Sequence, residues 1–289
     1  MKTHCVIVAC ALLLAPAPAC AGMIVGIGNS GLPFTGTTFF AVDPITGSTT
    51  PFGQFPSSQY YAASSSPVDG TFFALSPVNL YRINPFTGEF VGYLCASSED
   101  CTYVGNDHAY DPSNQNTYAL RNVGNDELLV QMVDRGLLLP VGSAPPGSHR
   151  VSYEPIGLLG AANISVIEYI PGLGLYGTDG IGAGYLINET TGHASLLAPL
   201  TGVLMPITGL AYSFDTSRLI ASAGVLFGPG PGMIYQLDPL TGHATVLNAQ
   251  APNLVGIAYT TIPEAQPTWM LAGGLALWFA LRKRLCTVR

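Results

Sequence analysis

Asn106-Asp107-His108 and Asp111 gather one histidine with two carboxylates in a short stretch, the residue types that acid–base catalysis or a metal site draws on. Their spacing argues for a strand and a turn instead. Asp111-Pro112-Ser113-Asn114 has turn chemistry, and Asp107 and His108, as neighbours on an alternating strand, face opposite ways. His193 and His243 each follow the glycine of a repeated motif, at sites where Ser48 and Glu89 stand in other copies, so both read as surface strand positions. Cys95 and Cys101 are spaced to close a small disulfide loop in an oxidising compartment, the competing reading being two unpaired thiols in a hairpin. Metal sites more often show C-x-x-C pairs with further ligands. There is no G-x-S-x-G, no G-x-x-x-x-G-K-[ST] and no H-E-x-x-H. The glycine run Phe227-Gly228-Pro229-Gly230-Pro231-Gly232 is a loop rather than a phosphate cradle, because its prolines lack N–H donors and no lysine follows. Acidic turns at Asp179-Gly180 and Asn125-Asp126 offer oxygen ligands to a structural calcium, without the spaced Asp-x-Asp-x-Asp run of a dedicated site. No other cofactor is expected, and no catalytic residue is assigned.

The elements that would position such groups are strands. The chain has 34 Gly and 23 Pro among 289 residues, many Tyr, Phe, Thr and Val, and few charges, which favours short strands with tight turns. One motif recurs: Phe40-Ala41-Val42-Asp43-Pro44-Ile45-Thr46-Gly47, Tyr81-Arg82-Ile83-Asn84-Pro85-Phe86-Thr87-Gly88, Tyr185-Leu186-Ile187-Asn188-Glu189-Thr190-Thr191-Gly192 and Tyr235-Gln236-Leu237-Asp238-Pro239-Leu240-Thr241-Gly242. A degenerate copy, Val133-Asp134-Arg135-Gly136, stands in the wide gap. The motif is a hairpin: Asp43, Asn84, Asn188 and Asp238 accept bonds from the turn backbone, while Gly47, Gly88, Gly192 and Gly242 take the left-handed conformation that starts the return strand. A second strand motif alternates with it, as His108-Ala109-Tyr110-Asp111, Gly209-Leu210-Ala211-Tyr212 and Gly256-Ile257-Ala258-Tyr259. Two hairpins per module predict an all-β β-propeller of about five four-stranded blades between Met23 and Ile262, similar to the irregular propellers of bacterial surface proteins. The chain runs out inside the last module, so Met23 to Gly28 is expected to close the ring against Leu254 to Thr260. A β-sandwich or an open repeat array is the competing architecture.

The ends read differently from this body. Lys2 and His4 precede an apolar run and the small-residue stretch up to Ala21, so 1–21 reads as a cleaved secretory signal and 22–262 as the ectodomain. Basic residues between Gly22 and Ile262 are Arg82, Arg121, Arg135, Arg150 and Arg218, far outnumbered by Asp and Glu in a chain of net charge −7. That balance argues against nucleic acid as a partner. At 263–289 a knuckle with Pro263, Glu264 and Pro267 leads into the uncharged run Thr268 to Leu281 and then Arg282-Lys283-Arg284. This order resembles the PEP-CTERM sorting signals of Gram-negative bacteria, with Ala265 standing where that family's motif has its second proline. The resemblance implies a C-terminal transmembrane helix, recognition by an exosortase-type membrane peptidase, and a species that makes extracellular polysaccharide. The run Thr268 to Leu281 falls short of the about 20 residues a helix needs to cross hydrocarbon, which favours a transient span over a lasting anchor. The ectodomain is then expected outside the cytoplasm, held at the inner membrane or released to the surface or matrix.

With no catalytic motif, the sequence favours a non-enzymatic envelope or matrix protein, its propeller binding or structural, with exopolysaccharide as a candidate partner. The alternative is a metal-dependent propeller hydrolase or lyase acting on extracellular substrates, whose ligands would converge from several blades.

Overall fold

Alternation decides the local structure: in Thr37–Val42, for example, Thr37, Phe39 and Val42 are buried while the residues between them are partly exposed. A computed structural model describes residues 22–29, 37–55, 62–65, 71–75, 80–84, 90–95, 104–123, 126–137, 149–160, 163–225 and 230–261. All of them lie in one unit, Gly22–Thr261. The signal and the tail fall outside the described residues, so the expected membrane helix gains no support: among the described residues no helix is long and apolar enough to cross a membrane.

Strands β1 (Gly22–Asn29), β2 (Thr37–Val42) and β3 (Thr49–Phe55) form a sheet that the last strand, β20 (Leu254–Thr261), completes in the order β20-β1-β2-β3. Next along the chain are β4 (Ala62–Ser65), β5 (Phe72–Leu75), β6 (Leu80–Ile83) and β7 (Phe90–Cys95), followed by β8 (Val104–Asp111), β9 (Asn116–Val123), β10 (Asp126–Leu137) and β11 (His149–Leu158). Two further antiparallel quartets follow: β12 (Val166–Ile170), β13 (Gly174–Thr178), β14 (Ala183–Ile187), β15 (Ala194–Pro199), then β16 (Ile207–Ser213), β17 (Arg218–Ala223), β18 (Pro231–Leu237), β19 (Ala244–Pro252).

The arrangement is an all-β propeller. Its hydrogen-bonded sheets number four, against the about five expected, because β7 and β11 pair in parallel and fuse two quartets into one eight-stranded sheet. The first strand of each quartet packs against the next: β4 on β8, β8 on β12, β12 on β16, β16 on β20, and β20 back on β4. Chain closure is by β1, which pairs antiparallel with β20 from Gly22↔Thr261 to Gly28↔Leu254 and so joins the first and last strands in one sheet.

Apolar burial lies between quartets rather than at one centre. Tyr176 of one quartet and Tyr235 of the next, both fully buried, share a cluster with Val166, Leu210 and Leu237. Phe39 and Val255 pack on Phe72 and Ile83 across another joint, with the Phe39 and Phe72 rings edge to face at 5.6 Å.

The repeated turns fasten these joints. Asp43 Oδ1 accepts from the N–H of Ile45 at 2.8 Å, its Oδ2 from the Thr46 hydroxyl at 2.8 Å, and Gly47 follows at φ +67°. Asp238 repeats this with Leu240 at 3.0 Å and Thr241 Oγ1 at 2.8 Å, and Asn188 with the N–H groups of Thr190 and Thr191 at 2.9 Å. Asn84 directly follows β6, and Gly88 lies outside the described residues. Both aspartates are held below the usual carboxylate range, Asp43 chiefly by the Ile45 N–H and Asp238 chiefly by the Thr241 hydroxyl. Each described turn then docks on the preceding quartet. The Gly242 carbonyl accepts from Thr201 at 2.9 Å, the Gly47 carbonyl from Asn248 Nδ2 at 3.0 Å, and Ala194 donates to Leu159 at 2.8 Å. Asp238→Ala is expected to cost about 1 kcal/mol in a urea melt, since it removes bonds to an ionised acceptor, and Asp238→Asn to recover part of that loss.

Candidate functional site

The inner strands carry the polar groups that sequence singled out, and they divide them. On β8, Asp107 turns toward β12, where its Oδ2 accepts from the Ile167 N–H at 3.1 Å, while Oδ1 accepts from the His108 N–H at 2.9 Å. His108 turns the other way, its Nε2 lying 3.1 Å from the hydroxyl of Tyr153 on β11. Burial lowers the His108 pKa to about 4, so the imidazole is neutral at physiological pH, and burial pushes the Tyr153 phenol up. Asp111 accepts from the Ser113 N–H at 2.8 Å and closes the turn between β8 and β9. The three titratable side chains therefore serve three separate contacts, as opposite-facing strand neighbours must.

The residue that joins Asp107 is Glu168 on β12. In the second strand motif the matching positions are Ala211 and Ala258, both fully buried, so a carboxyl stands here where the repeat has a methyl. Glu168 is 1 % exposed, and its carboxyl accepts from the backbone N–H of Tyr212 on β16. Its Oε2 has no hydrogen-bond partner among the described residues. Burial first, then the charge of Asp107, holds Glu168 well above the usual carboxylate range, and burial does the same to Asp107 against its two backbone donors. The two carboxyls are therefore coupled, each held above the ordinary range chiefly by burial.

Similar single links continue round the ring. Thr208 on β16 donates to the Leu254 carbonyl of β20 at 2.7 Å, and Thr260 on β20 donates to Thr71 at 3.1 Å. Hydroxyls make these joints neutral, whereas Asp107 and Glu168 bring ionisable groups to theirs. Each carboxyl thus has a structural task, and Glu168 has one oxygen beyond it.

The remaining expectations fall elsewhere. His193 and His243 are exposed, next to their turn glycines, and His149 Nδ1 lies 2.7 Å from Asp134 Oδ2. Asp179 Oδ1 is taken up by the N–H groups of Ile181, Gly182 and Ala183 at 3.1, 2.6 and 2.9 Å, so it is committed to its own turn. Asp126 begins β10, and Asn125 lies outside the described residues. Among the described residues no group of three or more His, Cys, Asp or Glu gathers as metal ligands would. Cys95 ends β7, while Cys101 and the tail residues Pro263, Glu264, Pro267, Arg282, Lys283 and Arg284 lie outside the described residues.

No family model and no curated protein matches the chain. Solved structures do. One is a candidate 6-phosphogluconolactonase from Bacteroides uniformis, 13% identical, with 84% of this chain and 100% of that one covered at TM-score 0.48. Another is a candidate 6-phosphogluconolactonase from Bacteroides fragilis, 10% identical, with 85% of this chain and 100% of that one covered at TM-score 0.44. Both neighbours carry an enzyme's name, where the sequence favoured a non-enzymatic body. At TM-scores below 0.5 these likenesses carry no argument about this chain, and their activity is not carried to it.

Proposed function

We propose that this chain is an exported β-propeller enzyme of the hydrolase or lyase kind, in which the Asp107–Glu168 carboxyl pair supplies a proton. One observation carries this reading: a fully buried Glu168 whose pKa burial and Asp107 hold well above the ordinary carboxylate range, and which keeps an oxygen free of partners among the described residues. General-acid catalysis needs a group still protonated near the working pH, and burial beside a second carboxyl is a physical route to one. The eight-stranded sheet counts as two modules in this reading, so five modules surround the axis and the pair lies on the adjoining inner strands of two of them.

Purified full-length protein assayed on lactones, neutral glycosides and uronate-containing polysaccharides should turn over at least one class. Glu168→Gln should lower that rate by about 100-fold, the scale of an acid–base contribution, while the protein remains folded. Full activity in Glu168→Gln, or no turnover of any class by the parent protein, would sink the reading.

Routing is part of the same proposal. The signal over 1–21 exports the body, and the segment 263–289 holds it at the inner membrane until an exosortase-type peptidase acts near Pro263 and Glu264. Its support is the order of proline-glutamate knuckle, apolar run and terminal basic cluster. Neutralising Arg282, Lys283 and Arg284 should mis-sort the chain in a host carrying the peptidase. Mass spectrometry of the mature protein should find Trp269 and Trp278 removed, and their retention in the bulk of the protein would refute processing.

A further inference from the structure

Position 189 breaks the repeat. Three copies of the turn motif have proline after the Asp or Asn, at Pro44, Pro85 and Pro239, whereas this copy has Glu189. The turn itself does not use the carboxylate, since Asn188 accepts from Thr190 and Thr191, and the Gly192 N–H returns to the Asn188 carbonyl at 2.8 Å.

The carboxylate is instead aimed from the neighbouring quartet. The hydroxyl of Tyr118 on β9 donates to Glu189 Oε2 at 2.9 Å and accepts from Asn114 Nδ2 at 3.2 Å and Asn116 Nδ2 at 3.4 Å. One donor and two acceptor positions are all the capacity a phenol has, so its orientation is fixed, and with it that of Glu189. The other oxygen, Oε1, is turned toward Gly174, where a methyl group would lie 3.6 Å from it.

Glu189 and Gly174 both line a groove of about 290 Å³ between the turn and the start of β13. Leu173 and Leu186 give it apolar wall, and Thr191, His193 and Ser195 give it polar groups; no lysine or arginine lines it. The volume lies at the lower end for small-molecule sites, the size of one sugar ring. A carboxylate with no lysine or arginine beside it accepts from hydroxyl donors, and the leucines suit the C–H face of a ring.

We infer that this groove is a binding subsite for a neutral hexose unit, with Glu189 Oε1 accepting from the sugar hydroxyls and Tyr118 serving as the positioning residue. Neither Asp107 nor Glu168 lines it, so the inference stands or falls apart from the enzymatic reading.

The repeat supplies the test variant, since Glu189→Pro installs the residue the motif carries elsewhere and should leave the turn intact. Full-length protein is titrated with glucose, galactose and mannose by calorimetry and saturation-transfer NMR, with calcium chloride in a parallel titration. Saturable binding of at least one hexose, around millimolar as for one sugar in an open groove, is expected. It should weaken at least 10-fold in Glu189→Pro with the melting temperature unchanged, and several-fold in Tyr118→Phe. Should Glu189→Pro fail to fold, Glu189→Gln, which keeps the shape and loses the charge, should weaken binding several-fold. The inference is overturned if no hexose binds saturably, if the Glu189 variants bind as the parent does, or if calcium binds and displaces the sugar.

Discussion

Gly157→Ala is expected to destabilise the protein by about 3 kcal/mol or more, lowering the melting temperature by roughly 10 °C in a domain of this size. The cause is backbone against backbone. A Cβ at Gly157, near the end of β11, would lie 1.9 Å from the Thr191 carbonyl oxygen, and one at Gly192 would lie 2.4 Å from the Gly157 carbonyl oxygen. No rotamer change relieves such a contact, so the turn Asn188–Gly192 must lift off the neighbouring quartet. Lifting it puts at risk the Ala194 to Leu159 bond and the Ile187 and Ala194 side chains packed in the same joint. Gly172→Ala is the control. It has φ +80° and open space around it, so its cost is the left-handed backbone penalty alone, about 1–2 kcal/mol. Thermal melts of the two variants by circular dichroism compare the effects directly, and equal losses would show that the joint between quartets contributes nothing at Gly157.

This joint also shows what was legible in the sequence. The turn chemistry of Asp43, Asn188 and Asp238 is local, written in residues a few positions apart, and so are the flanking alternating strands. The pairing of Met23 to Gly28 with the last strand could be read because a module left one strand short needs a partner. The second demand on the turn glycines, room for another backbone, was not legible, because Gly157 belongs to no motif and its neighbour is distant in sequence. The merging of two quartets was hidden for a like reason. The β7–β11 pairing from His149↔Tyr93 to Val151↔Cys95 is made by backbone groups and leaves no side-chain pattern.

Residue types in proximity do not locate the carboxyl pair. Asp107 and His108 are adjacent in sequence and face apart in space, while Asp107 and Glu168 lie far apart in sequence and on neighbouring inner strands. A signal for Glu168 existed in its departure from Ala211 and Ala258, and one for Glu189 in its departure from the repeated proline. In a repeat protein the scaffold is encoded by what recurs, so a charged residue that replaces a recurring apolar one has to be explained by something other than the scaffold.

Glu168→Gln is the second large effect, and its sign follows from linkage. The folded state holds the Glu168 proton well above the ordinary carboxylate range, mainly through burial and then through Asp107. Below the unfolded pKa, near 4.5, both states are protonated and the residue adds no pH dependence. As pH rises past that value the unfolded chain releases the proton while the folded chain keeps it, so stability falls with rising pH until the folded group ionises. Asp107, raised in the same direction, adds to the fall, whereas Asp43 and Asp238, held low, lose their stabilisation only in acid. Glutamine has the same shape without the ionisation. It should raise stability at pH 7.5 by about 1–3 kcal/mol, the scale of a buried carboxyl's shift, with the gain vanishing near pH 4. Urea melts of parent and variant at the two pH values give the difference of differences directly. A variant no more stable than the parent at pH 7.5 would mean that the pair is solvated or otherwise compensated, and the proton assigned to Glu168 at neutral pH would go with it. A variant that gains stability while losing turnover would show the carboxyl kept at a cost to the fold, as residues retained for chemistry commonly are.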